Sequence, residues 1–287
     1  VQTALLATLA WTIAAGSAAS QDSGPTLAAT IFPLFDIARH VAGPAAEVTL
    51  MLPPGASPHT FEPTPSQVRA LAGARVVFVI GHGLDDWAAR LARSTGAARV
   101  VVVDRGVALR READGTVDPH YWLAPANAKA IARTVAGELE GLVPARRSDI
   151  QSALTRYLGQ LDAVEAEIRG ILADLPTRRI ATFHDAFGYF AEAFGLEVAA
   201  VFEPYPGREP GPRFVAEFQR RVRASGVRTL FAEPQLSLDP LRPLARDLGV
   251  TLSVLDPLGG VSGRDTYLEL LRFNARQVAA AVRGRTS

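Results

Sequence analysis

One stretch near the middle of the chain restricts the fold more than any other. From Ser148 to Leu175 the residues Ile150, Leu154, Tyr157, Leu161, Val164, Ile168, Ile171 and Leu175 recur at alternating steps of four and three. That spacing lays one apolar stripe along a helix, and Arg156, Asp162, Glu165, Glu167 and Arg169 fall off it. Ser148 and Gln151 read as a capping box, with Pro144 marking an alternative, earlier start. Pro176 closes the segment, because proline disfavours helix in the residue before it. At 1.5 Å per residue such a helix is on the order of 40 Å long, the span of two small domains. Gly159 and Gly170 each cost it about 1 kcal/mol relative to alanine, so packing on both sides has to hold it.

Strand-like and helix-like segments alternate before and after this helix. Thr26 to Ile31, Glu47 to Leu52, Arg75 to Ile80 and Arg99 to Val103 read as strands in the first half. Arg178 to Thr182, Glu197 to Phe202, Val227 to Ala232 and Val250 to Leu255 read as strands in the second. Helices are expected between them, among them Pro125 to Leu142 and Asp265 to Arg283. The pattern predicts an α/β fold of two lobes, each a roughly four-stranded, mostly parallel sheet flanked by helices. Residues 25–143 form the first lobe, 144–175 the rigid linking helix and 176–287 the second lobe.

Length and charge narrow the function. The 287 residues suit two domains. A net charge of +1 gives no electrostatic case for nucleic acid or an anionic membrane. With no cysteine, thiolate metal sites and disulfides are excluded, and so is a lipid-modified cysteine. Ala4 to Gly16 is apolar but too short to span a bilayer, and small residues follow it. Residues 1–24 therefore read as the remnant of a secretory signal peptide and a flexible start, with cleavage near Ala18 to Gln21. An exported, periplasmic, monomeric protein without membrane insertion is expected.

Three histidines occupy proline-braced loops or strand ends: His59 after Pro58, His120 after Pro119, and His184 after the strand ending at Thr182. Asp256 follows another strand and precedes Pro257. Ligands of open parallel sheets sit beyond the carboxyl ends of strands. Three neutral imidazoles and one carboxylate suit tetrahedral Zn²⁺. His40 on a helix reads as structural, and His82 in Gly81-His82-Gly83 as structural or as an outer partner. Glu62, Asp85, Asp86 and Asp118 are candidates to accept the outer N–H of a ligating imidazole. Glu203, Glu209 and Glu233, each before a proline, read as helix caps or cleft lining. No phosphate loop and no nucleophile elbow is present.

Three segments carry a family resemblance: Pro58-His59-Thr60-Phe61-Glu62-Pro63-Thr64-Pro65, Asp118-Pro119-His120-Tyr121-Trp122-Leu123 and His184-Asp185-Ala186-Phe187-Gly188-Tyr189-Phe190. In this order, around a long helix, they resemble the substrate-binding proteins of zinc and manganese ABC importers. The resemblance implies metal bound between two lobes by His59, His120, His184 and Asp256, and delivery to an ABC permease. Zinc members have histidine at the third position, as here, and manganese members glutamate. Arg105 to Pro119 lacks the histidine-rich insertion of many zinc members, which leaves room for a separate periplasmic zinc chaperone. Ala124 stands where an aspartate is common. The rival reading is a secreted zinc-dependent hydrolase with a three-histidine site. It lacks a His-Glu-x-x-His helix, and a fourth protein ligand would close its open position. A surface adhesin of the same fold is a third reading, against which the missing lipid anchor counts.

Overall fold

In the computed structural model, which describes residues 24–71, 73–95, 99–112, 114–203, 210–239 and 241–284, the alternation resolves into two parallel sheets. The expected leader lies outside the described residues, as does Glu209. The first half runs β1 (Thr26–Ala29), α1 (Phe32–Ala42), β2 (Glu47–Leu50), α2 (Pro65–Leu71), β3 (Val76–Val79), α3 (Asp86–Thr95), β4 (Arg99–Val102) and α4 (Pro125–Leu142). The linking helix is α5 (Arg147–Ile171). Then come β5 (Arg179–His184), α6 (Gly188–Phe194), β6 (Glu197–Glu203), α7 (Pro212–Ser225), β7 (Thr229–Ala232), α8 (Leu241–Leu248), β8 (Thr251–Val254) and α9 (Tyr267–Val282). Strand order is β2-β1-β3-β4 in one sheet and β6-β5-β7-β8 in the other, so both lobes repeat one topology. The carboxyl ends of β1 and β3, and of β5 and β7, are the switch points where a ligand is expected.

The linking helix has its expected stripe but not its expected ends. Ile150, Leu154, Tyr157, Leu161, Val164 and Ile168 are all buried. Its start is a short 3-10 turn, Pro144–Arg146, running into Arg147, so Ser148 is already inside and no side chain caps the N-terminus. It stops at Ile171, before Pro176 forces it to. There the Arg283 guanidinium donates to the Ile171 carbonyl (3.2 Å) and that of Arg178 to Ala173 (2.9 Å), satisfying carbonyls that a further turn would have used. At the start of α2 the Thr64 N–H donates to Gln67 Oε1 at 2.8 Å, one half of a capping box.

Packing places one face of each sheet on a core that both lobes share. Leu27, Ile31 and Ile37 join Ile131, Tyr157, Leu161, Tyr267, Leu271 and Val278 in a single apolar cluster running through α1, α4, α5 and α9. Two smaller clusters cover the outer faces, one around Val77 and Trp87, the other around Phe183, Phe202 and Phe218. Polar contacts stitch the lobes across this core. Buried Asp36 on α1 accepts from the Tyr267 backbone N–H at 2.9 Å, capping α9 of the other lobe. Trp122 Nε1 donates to the Pro257 carbonyl at 2.7 Å, and the Tyr267 hydroxyl donates to the Trp122 carbonyl. The segments carrying His120 and Asp256 are thereby tied to one another.

Candidate metal centre

Two loops and a strand end deliver imidazoles to one point. His59 comes from the proline-rich loop after β2, where Pro53, Pro58 and Pro63 limit the backbone to few conformations. His120 ends the polar stretch after β4 and leads into a 3-10 turn, Tyr121–Leu123. His184 is the last residue of β5 and not a loop residue beyond it. Ring centroids lie 5.4 Å apart for His59–His120, 5.0 Å for His59–His184 and 4.9 Å for His120–His184. One ring nitrogen from each falls within 4.8 Å of the other two, the only such group of His, Cys, Asp or Glu among the described residues.

The outer nitrogens fix which edge of each ring faces inward. Asp118 Oδ1 accepts from the His120 backbone N–H (2.9 Å) and stands 2.9 Å from its Nδ1. Both Glu233 oxygens stand 3.3 Å from His184 Nδ1. With Nδ1 of His120 and His184 facing a carboxylate, their Nε2 atoms are left for the centre, and His120 Nε2 lies 3.3 Å from His59 Nε2. Two donors on one tetrahedral zinc with bonds of about 2.0–2.1 Å would be separated by about 3.3–3.4 Å. The free volume among the rings is about 10 Å³, room for one water-sized occupant. Carboxylates holding ligand imidazoles raise their basicity and lock their orientation.

Second-lobe contacts hold the Asp118 segment in place. Tyr189 on α6 accepts from the Arg110 backbone N–H (2.7 Å) and donates to the Asp118 carbonyl (3.2 Å). The Arg110 guanidinium lies so close over Gly188 that a Cβ there would sit 2.7 Å from its Cζ. A side chain at this position would have to displace only the flexible end of Arg110, inside the segment that follows His184.

Asp256 does not join the three histidines. Its carboxylate is 1% exposed, and Oδ1 accepts from Gln235 Nε2 (2.8 Å), Leu258 N–H (2.9 Å) and Gly259 N–H (3.1 Å). Oδ2 pairs with Arg264 Nη1 at 3.2 Å. Oδ1 thus faces Gln235 and its own loop and Oδ2 the Arg264 guanidinium, and Asp256 lies outside the group formed by the three histidines. His82 stands apart too. It is held at φ +53° between Gly81 and Gly83, with Nε2 3.0 Å from Asp104. His40 stacks on Tyr157 with centroids 5.1 Å apart. Of the outer carboxylates expected, Asp118 is one, whereas Asp85 is bound by Thr30, Ile80 and Gly81. Glu233, expected as a helix cap or cleft lining, does line the histidine cavity and is in addition the partner of His184. Its position just past β7 was the available signal, the same one that marked His184 and Asp256.

Burial, and then repulsion from His120 and His184, lower the His59 pKa to about 2. A folded pKa below the unfolded value means that the unfolded chain takes the proton first. Stability is therefore full above about pH 6.5 and is lost as pH falls below it. Metal-free protein is expected to lose stability on going from pH 6.5 to 4.5, with His59 contributing at most about 1.4 kcal/mol per pH unit. His59→Gln should flatten the slope in urea unfolding across that range; an unchanged slope would place its acid sensitivity elsewhere.

A two-lobed α/β chain with imidazoles from both lobes converging on one cation-sized space has the architecture of a cation-binding receptor. The family model described as the zinc-uptake complex component A, periplasmic, matches residues 27–281, and the chain belongs to that family. It is 31% identical to a putative metal-binding protein of Thermotoga maritima, covering 91% of this chain and 94% of that one. It is 28% identical to the manganese-binding lipoprotein MntA of Halalkalibacterium halodurans, over 84% of this chain and 83% of that protein. The zinc-binding protein AdcA of Streptococcus pyogenes is 21% identical over 92% of this chain, which spans only 57% of that relative's length. A zinc-bound ZnuA deletion mutant superposes with a TM-score of 0.82 at 27% identity, covering 91% of this chain and 98% of that one.

Proposed function

We propose that this chain is a periplasmic receptor that captures Zn²⁺ through His59, His120 and His184 and delivers it to the permease of an ABC importer. The observation that carries this reading is the convergence of one ring nitrogen from each of three histidines, two of the rings backed by carboxylates, Asp118 and Glu233. All three inner donors are imidazole nitrogens, which suit zinc, whereas carboxylate-rich sets suit harder ions such as Mn²⁺. Relatives named for zinc and for manganese both occur, so residue chemistry and not likeness carries the choice of metal. The hydrolase reading loses support from the same geometry. The two carboxylates beside the centre stand at the Nδ1 of ligand imidazoles, the place of an outer partner and not of a general base for a metal-bound water. Among the described residues no helix is long and apolar enough to cross a membrane. Residues 105–119 offer no histidine to scavenge metal, consistent with supply by a separate periplasmic zinc chaperone. The test is elemental analysis of the purified protein together with paired Zn²⁺ and Mn²⁺ competition titrations. One zinc per chain and a zinc preference are expected; a manganese preference would overturn the choice of metal.

A further inference from the structure

The carboxylate behind His120 sits at the base of a small hairpin, and the second lobe holds that base. Residues 110–112 run antiparallel to residues 116–118 through an Arg111–Val117 bridge. Glu112 N–H donates to the Thr116 carbonyl (2.8 Å) and Asp118 N–H to the Arg110 carbonyl (3.1 Å). So short a hairpin is marginal in water on its own. The hydroxyl of buried Tyr189, on α6, bonds both of its feet at once, accepting from the Arg110 N–H and donating to the Asp118 carbonyl. Side chains tighten the same clamp. The Arg110 guanidinium lies over the Tyr189 ring, 5.5 Å from the centroid, and pairs with Glu192 of α6 at 3.4 Å. Its Nε is 3.7 Å from Asp118 Oδ2, and both atoms are buried without another hydrogen bond. Oδ1 of the same carboxylate is the oxygen that faces His120.

We propose that Tyr189, with the Arg110 it clamps, is a positioning residue for the metal centre. From the second lobe it sets the Asp118 carboxylate that aims His120, so a displacement of α6 is felt at His120 of the first lobe as well as at His184. This rests on the three histidines being the capture site. A ligand imidazole whose outer acceptor is free to shift loses part of its orientation, and the loss shows mainly as faster departure of the metal. One movement of α6 thus loosens two of the three ligands, a means of release that a centre built within one lobe would lack.

The experiment is Zn²⁺ affinity by chelator competition, with Zn²⁺ release into excess chelator followed by stopped flow. The proteins are the full chain as wild type, Tyr189→Phe, Asp118→Ala, Glu233→Gln and His120→Ala, and Tyr189→Phe combined with Asp118→Ala or with Glu233→Gln. Tyr189→Phe is expected to lower affinity roughly tenfold, with most of the change in the release rate. Asp118→Ala keeps the backbone carbonyl that Tyr189 holds but removes the carboxylate, so there the same substitution should cost about twofold or less. In the Glu233→Gln background it should keep its full cost, because Glu233 acts through His184. An unchanged affinity in Tyr189→Phe overturns the proposal, as does an equal cost in both backgrounds, the mark of a general loosening. Should Tyr189→Phe not fold, Arg110→Gln takes its place, with the same dependence on Asp118 expected; a full cost in Asp118→Ala overturns the proposal. His120→Ala separates the two readings. If it loses zinc while Tyr189→Phe does not, this proposal alone fails; if it keeps wild-type affinity, the capture reading fails and takes the proposal with it.

Discussion

Adding Zn²⁺ to fully stripped protein is expected to raise its melting temperature by roughly 8 to 16 °C. A ligand that binds only the native state contributes about 4 kcal/mol at a thousandfold excess over its dissociation constant. Each kcal/mol moves the midpoint of a chain of this size by about 2 to 4 °C. The unfolded chain cannot reproduce the site, because His59 and His120 are 61 residues apart and His184 comes from the other sheet. Stabilisation should also be global. His120 is joined through Trp122 and Tyr267 to the core that both lobes share, so metal holding the rings together opposes unfolding of either lobe. Scanning calorimetry with and without zinc checks this, with His120→Ala expected to melt at the metal-free temperature in both conditions. A wild-type midpoint that ignores zinc, while dialysis still finds zinc bound, would show that the metal does not use this site.

Fold and site were legible in the sequence to different depths, for physical reasons. Periodicity reported α5 faithfully because a buried stripe is a local property: all its central positions are buried as the spacing demands. Its C-terminal end differs from the expectation because Arg283, 112 positions on, donates to the Ile171 carbonyl, with Arg178 satisfying Ala173 just beyond. Each histidine was legible through its proline or strand-end context. Asp256 had the same local context and yet turns to Arg264, since a carboxylate follows the nearest compensating charge and that charge is set by tertiary folding. Glu233 meets His184 across 49 positions, a distance that no motif spans. The two expected lobes share part of one core, because α5 and α9 pack on α1 and α4 and merge the inner faces of both sheets. Side-chain pairing between lobes is the information that a linear pattern lacks.

Replacing Glu233 should weaken the site more than any other substitution outside the three histidines. In Glu233→Ala, His184 Nδ1 loses its buried acceptor, and with it the restraint that aims Nε2 at the metal. Removing such an outer partner typically costs 10- to 100-fold in metal affinity, about 1.4 to 2.7 kcal/mol. A second consequence separates this electrostatic role from simple packing. Burial works to lower the His184 pKa, but the charge and hydrogen bond of Glu233, helped by Asp185 and Glu203, outweigh it and raise the pKa. A raised folded pKa stabilises the metal-free protein below the unfolded value of about 6.5, and that contribution fades as pH rises through the folded pKa. Zinc must therefore displace a proton from His184, and wild-type affinity should begin to fall on acidification while the pH is still above 6.5. Without Glu233 the pKa drops, and the fall should begin at a lower pH although affinity at pH 7.5 is weaker throughout. Glu233→Gln keeps an acceptor oxygen but not the charge, so it should reproduce the pH displacement with a smaller loss of affinity. Competition titrations from pH 5.5 to 8 on the three proteins measure both effects. Curves that differ in height alone, with the same midpoint, would reduce Glu233 to a packing residue.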